Sequence, residues 1–103
     1  MLYAIIGHEA PDGLEKRNKV RTEHLSRIQA MVDDGRIVAA GPMPAIDSPD
    51  PGPAGFSGSL IIAEFECLED ARAWINADPY VTQGVFESVD VRPFNKTVPC
   101  DAG

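Results

Sequence analysis

Two periodicities take turns along this chain, and the places where one gives way to the other predict its elements. Leu2 to Gly7 is a short apolar run with the β-branched pair Ile5 and Ile6, which predicts a strand. Ala10-Pro11-Asp12-Gly13 is turn chemistry, with Asp12 placed to cap a helix. Leu14 to Asp34 contains no proline or glycine, and Leu25, Ile28, Met31 and Val32 recur at three- and four-residue steps, predicting an amphipathic helix stopped by Gly35. Arg36 to Gly41 reads as a second strand, ended by Gly41-Pro42. Met43 to Ser57 carries Pro44, Pro49, Pro51, Pro53, Gly52 and Gly55 and is expected to be a loop, of a length usually functional or mobile in compact domains. Gly58 to Glu66 is a third strand, and Leu68 to Asn76 a second helix with Leu68, Ala71, Trp74 and Ile75 on one face. Asp78-Pro79 opens a short turn or helical piece ending near Gly84, and Val85 to Pro93 alternates as a fourth strand.

The order β-α-β-β-α-β, joined by right-handed crossovers, predicts an α+β, ferredoxin-like fold: a four-stranded antiparallel sheet with both helices on one face. Residues 1–94 form the expected domain, and 95–103 a C-terminal tail. The uncovered face of such a sheet should be polar at alternate positions. Strands one and three are not: Leu2, Ala4 and Ile6 oppose Tyr3 and Ile5, while Leu60 and Ile62 oppose Ile61, Ala63 and Phe65. Apolar residues on both parities imply burial on both faces. At about 25 cal/mol per Å² of apolar surface, covering the second face outweighs the costs of association. A homodimer is therefore expected.

Composition narrows the partners. Hydrophobic residues are 44% and charged residues 24%, as in a folded domain. The formal charge of −7 argues against nucleic acid or an anionic membrane, both of which are bound through Lys and Arg. No apolar run reaches the ~18 residues of a membrane span, and the amino terminus lacks the basic start and longer apolar core of a signal peptide, so a cytoplasmic location is expected. Cys67 and Cys100 make no disulfide framework and no metal-ligand spacing. No metal or cofactor is expected.

Few residues are candidates for chemistry. Arg17, Arg21, His24 and Ile28 form one stripe on the first helix, bordering the apolar face expected from Leu25, Ile28 and Val32. A histidine at such a border titrates near neutrality and is readily shifted by a neighbour, although a boundary histidine with no task has the same spacing. His8, at a strand end, reads as bland. Asp78 before Pro79 is a standard helix start. The same carboxylate is able to orient a histidine, the two roles falling on different oxygens. Lys16, Arg17, Lys19, Arg21 and Arg27 reverse the acidic background, either as a solvated helix face or as a lure for an anionic small molecule. Trp74, Phe65 and Phe86 read as core. Glycines 41, 58 and 84 lack phosphate-loop spacing, and neither a Gly-x-Ser-x-Gly elbow nor a cysteine beside a histidine is present.

Taken in order, Arg21-Thr22-Glu23-His24-Leu25, Gly35-Arg36-Ile37 leading to Gly41-Pro42, Gly58-Ser59, Asp78-Pro79-Tyr80 with Gly84-Val85, and Pro93 resemble the YciI-like (YCII-related) family, from Leu2 to about Pro93. The resemblance implies a dimeric α+β barrel, with ferredoxin-like subunits paired sheet to sheet. It also implies an active site that pairs His24 with Asp78, with Arg21 and Ser59 nearby as substrate contacts. The implied function is a cofactor-independent lyase or isomerase, similar to muconolactone isomerase or to a dehydrochlorinase of chlorinated hydroxyquinols. Its substrate would be a small cyclic, phenolic or anionic compound. The rival is a non-catalytic dimeric binder of a small ligand, or an accessory protein. A cofactor-bound oxygenase on the same barrel has only fold analogy behind it. The segment Met43 to Ser57 looks longer and richer in proline than the usual family loop.

Overall fold

The computed structural model describes residues 1–99; positions 100–103 of the predicted tail, Cys100 among them, lie outside the described residues. The elements run β1 (Leu2–Glu9), α1 (Gly13–Asp33), β2 (Ile37–Pro44), a 3-10 turn (Gly52–Ala54), β3 (Phe56–Glu64), α2 (Leu68–Asn76), α3 (Pro79–Thr82) and β4 (Phe86–Phe94). The strands form one sheet in the order β2-β3-β1-β4, and every neighbouring pair is antiparallel. This is the ferredoxin-like α+β arrangement that the order of elements predicts.

Register explains the two-sided strands. Ile5 stands between Ile61 and Val91, and Tyr3 between Ala63 and Pro93, so one face of the sheet carries Tyr3, Ile5, Ile61 and Ala63. These pack with Met31, Phe65, Ala71, Ile75, Tyr80, Val85 and Phe86 into a single core. Leu2, Ala4, Ile6, Leu60 and Ile62 occupy the opposite parity and are only half-buried.

Helix α1 follows local chemistry at one terminus only. At the C-terminus of α1, Gly35 has φ 71°, its N–H donates to Val32 O at 2.9 Å, and Arg36 N–H donates to Met31 O at 3.0 Å. That pair of bonds is a Schellman motif, which needs the left-handed glycine. At the N-terminus Asp12 makes no capping bond; its carboxylate pairs instead with Lys16 at 2.9 Å.

Two expectations are corrected. The inward stripe of α1 is Gly13, Arg17, His24 and Met31, with Val20 and Ile28 beside it. Leu25 and Val32 are 45% and 46% exposed, so they do not build the buried face. The stripe escapes a hydrophobicity reading because two of its inward residues carry charge or polarity that partners satisfy inside the protein. The segment Met43 to Ser57 is also not one long loop. β2 continues through Gly41 and Pro42 to Pro44, β3 begins at Phe56, and the connection is tied by Ala45 N–H to Gly55 O at 2.9 Å. Among the described residues β2 pairs only with β3, and an edge strand tolerates prolines because one row of its backbone groups needs no partner.

Candidate functional site

The site lies where α1 crosses the sheet beside α3. Asp78 is wholly buried, and its residue type before Pro79 sets α3: Oδ1 accepts the Tyr80 N–H at 2.9 Å, the capping bond expected of it. The same Oδ1 lies 2.9 Å from His24 Nδ1. Capping and orienting thus share one oxygen rather than dividing between two. Oδ2 accepts from Arg27 Nη1 at 2.8 Å, while Arg27 Nη2 donates to Trp74 O at 2.9 Å and the guanidinium covers the Trp74 ring at 4.5 Å. His24 is 7% exposed and stacks on Tyr80, with ring centroids 3.8 Å apart and planes 8° from parallel.

A second polar cluster forms the floor. Arg17 donates to Glu9 through Nε at 3.0 Å and Nη2 at 2.6 Å, and Nη2 also reaches Ser59 Oγ at 3.1 Å. Its guanidinium lies 4.8 Å from the Phe56 and Tyr80 ring centroids. Close approach of backbone to backbone keeps this corner small: a Cβ on Gly58 would run into the carbonyl of Gly7.

Electrostatics follow from these contacts. Burial alone would raise the proton affinity of Asp78, but hydrogen bonds from His24, the Tyr80 N–H and Arg27 outweigh it and hold the carboxyl below its ordinary range. Burial pushes the Tyr80 phenol up, against the opposing charges of Arg17 and Arg21, so it stays protonated at neutral pH. An ionised Asp78 is an acceptor only. His24 Nδ1 therefore carries the hydrogen of that contact, and Nε2 is the ring nitrogen left for another partner. Nε2 makes no protein hydrogen bond among the described residues, yet no buried side-chain nitrogen or oxygen there lacks a partner. It follows that Nε2 is open to solvent.

That opening is a cleft of about 100 Å³ lined by Arg17, Arg21, His24, Ser59 and Tyr80, and walled by Ala40 to Pro42 of β2. Larger hollows lie by Met1, Arg36 and Phe65 (about 630 Å³) and by Arg72, Asn76 and Asp90 (about 350 Å³), but neither contains a histidine. Among the described residues no three His, Cys, Asp or Glu side chains gather in a metal-binding group, and no helix is long and apolar enough to cross a membrane.

Residues 1–95 match the family described as the YCII-related domain. The chain belongs to that family. It is 59% identical over 96 residues to protein YciI of Escherichia coli O6:H1, covering 93% of this chain and 98% of that one. An uncharacterized Haemophilus influenzae protein is 47% identical over the same shares. Among solved structures, the fold resembles 5-chloro-2-hydroxyhydroquinone dehydrochlorinase from Burkholderia phenoliruptrix AC1100 in complex with 2,5-dihydroxybenzoquinone. The TM-score is 0.80 and the identity 22%, over 92% of this chain and 94% of that one. At that identity the likeness speaks for the fold alone.

The four residues that the family resemblance picks out therefore meet in space. His24 and Asp78 are in contact, Ser59 lines the same cleft, and Arg21 lies exposed on its wall with no hydrogen-bond or ion-pair partner among the described residues. His8 is elsewhere, paired with Asp90 at 2.9 Å on the exposed sheet. Sequence reasoning missed the work of Arg17, Glu9, Arg27 and Tyr80. The basic cluster on α1 divides accordingly: Lys16 and Lys19 pair with Asp12 and Glu15 one helical turn back, whereas Arg17 and Arg27 neutralise carboxylates inside the protein. One signal was available, since Arg17, His24 and Met31 repeat every seven residues and so share a helix face.

Proposed function

We propose that this YCII-related protein is a cofactor-independent lyase or isomerase acting on a small cyclic, phenolic anion. His24 serves as general base and then acid, and Asp78 fixes its tautomer. The observation that carries the reading is an imidazole with one nitrogen locked onto a buried carboxylate and the other open to a cleft. Charge balance favours an anion: Arg17 is matched by Glu9 and Arg27 by Asp78, which leaves the Arg21 guanidinium as the cleft's unmatched charge. The hydroxyls of a dihydroxybenzoquinone are vinylogous acids, so the ligand of the structural neighbour is of this kind.

On a chlorinated hydroxyhydroquinone the steps balance without an oxidant. His24 Nε2 takes a hydroxyl proton and returns it to the chlorine-bearing ring carbon. Loss of a second hydroxyl proton then drives out chloride with its electron pair, so the net loss is HCl and the product a hydroxyquinone. A positioned proton transfer is worth about 10²–10⁴-fold, enough for substrates whose O–H or C–H is already acidic. The test is chloride release from 5-chloro-2-hydroxyhydroquinone by the wild type and by His24→Asn, with folding checked by circular dichroism. A loss of at least about 100-fold is expected in the folded variant. Equal turnover by both proteins removes the dyad.

The same reading includes a homodimer. Leu2, Ala4, Ile6, Leu60 and Ile62 form a contiguous half-buried apolar face on the side of the sheet away from the helices, of the kind that a second copy covers.

A further inference from the structure

We propose that Arg27 is a positioning residue that sets the proton affinity of His24 by holding the far oxygen of Asp78. The inference rests on the His24–Asp78 reading above and goes beyond it. Asp78 has two oxygens and three donors: His24 Nδ1 and the Tyr80 N–H share Oδ1, and Arg27 Nη1 occupies Oδ2. A carboxylate that faced the imidazole alone would stabilise the imidazolium with its whole charge. Here that charge is divided, because a permanent cation sits 2.8 Å from the opposite oxygen. Arg27 is fixed for this task at its other end, where Nη2 is bonded to the Trp74 carbonyl and the guanidinium plane lies over the indole.

The consequence is a weaker base than Asp78 would make of the imidazole without Arg27. His24 also faces other charged or titratable groups. On its own helix these are Arg17 and Arg21, both lining the cleft; from α3 comes the Tyr80 phenol stacked against it; and Glu9 of β1 stands behind Arg17. Arg17 is matched by Glu9, so Arg21 and Arg27 are the cations acting on the imidazole, and Arg27 alone acts through Asp78.

The experiment is an NMR titration of the His24 ring in the full chain, which needs no substrate and stands even if the lyase reading fails. Arg27→Gln and Arg27→Met both remove the charge. Because Arg27 is partly exposed and Asp78 keeps two donors, at least one of them is expected to fold. In the folded variant the His24 midpoint should rise by about one pH unit, a roughly tenfold gain in proton affinity. Asp78→Asn should move it down, and Arg27→Lys should return it most of the way to wild type. A purely structural Arg27 would leave the midpoint in place. An unchanged or lower midpoint in the neutral variants, or a lysine variant that behaves like glutamine, overturns the proposal.

Discussion

Replacing Glu9 by Gln keeps the side chain's size and removes its charge, which leaves Arg17 as an unmatched cation inside the protein. The two side chains are 5% and 6% exposed and joined by two hydrogen bonds, the shorter at 2.6 Å. Removing one partner of a buried pair typically costs about 3–5 kcal/mol, because the remaining charge has lost its counter-ion and cannot reach water. The lower end applies here. The glutamine oxygen still accepts one bond, and Arg17 keeps Ser59 Oγ and the ring faces of Phe56 and Tyr80. A loss of about 3 kcal/mol corresponds to a fall of roughly 15 °C in Tm for a domain of this size. Urea titration at one fixed protein concentration measures it. Added salt should change the difference little, since screening acts weakly on buried pairs. The double variant Glu9→Gln with Arg17→Met removes the orphan cation and lets an apolar chain pack on the same rings. It should be more stable than the two single losses would add up to, by at least about 1 kcal/mol. A Glu9→Gln loss below about 1 kcal/mol, or simple additivity, would refute the view that Arg17 depends on a counter-charge.

Two further outcomes are expected. The Asp78 carboxyl is held below its unfolded value, so its contribution to stability is complete above the unfolded pKa near 3.9 and disappears as pH falls through the lower folded value. Urea midpoints should therefore drop steeply on acidification from about pH 5, and Asp78→Asn should flatten that slope; an equal slope in both proteins contradicts the assignment. Placing a charge on the outer sheet face with Ile62→Asp should convert a dimer to a monomer in analytical ultracentrifugation while the helix face of the sheet stays intact. A wild-type chain that sediments as a monomer, or a variant that still pairs, rejects the sheet-to-sheet dimer.

The fold was legible because its elements are separated by changes of period and by glycine and proline at the joints. Gly35 and Asp78-Pro79 each announce a backbone event that does occur. What stayed hidden was hidden for physical reasons. Pro42 and Pro44 look like strand breakers, and they are, except on an edge where one side of the ladder has no partner. Arg17 and His24 look like surface residues because hydrophobicity cannot register that Glu9 and Asp78 wait for them 8 and 54 residues away. The pairing of His24 with Asp78 was reached through family resemblance, and spacing alone would not have found it. Arg27 could be suspected only as a charge three residues beyond His24, since its partner oxygen and the Trp74 carbonyl are brought to it by tertiary structure.

The distribution of charge makes one more step possible. A chain of net charge −7 repels anions at long range, yet its cleft holds arginines from successive turns of one helix. Those two facts are compatible because the repulsive field fades over a Debye length of about 8 Å at physiological ionic strength, whereas a cleft acts at contact. Within contact distance the sign is set by what remains after pairing. Arg17, which lines the cleft, and Arg27, which stands behind Asp78, are matched by carboxylates, while Arg21, between them in sequence and exposed, is not. An anion that reaches the opening thus meets one unmatched cation beside the His24 ring. On the function proposed above, that one cation is what would hold a phenolate beside the His24 ring.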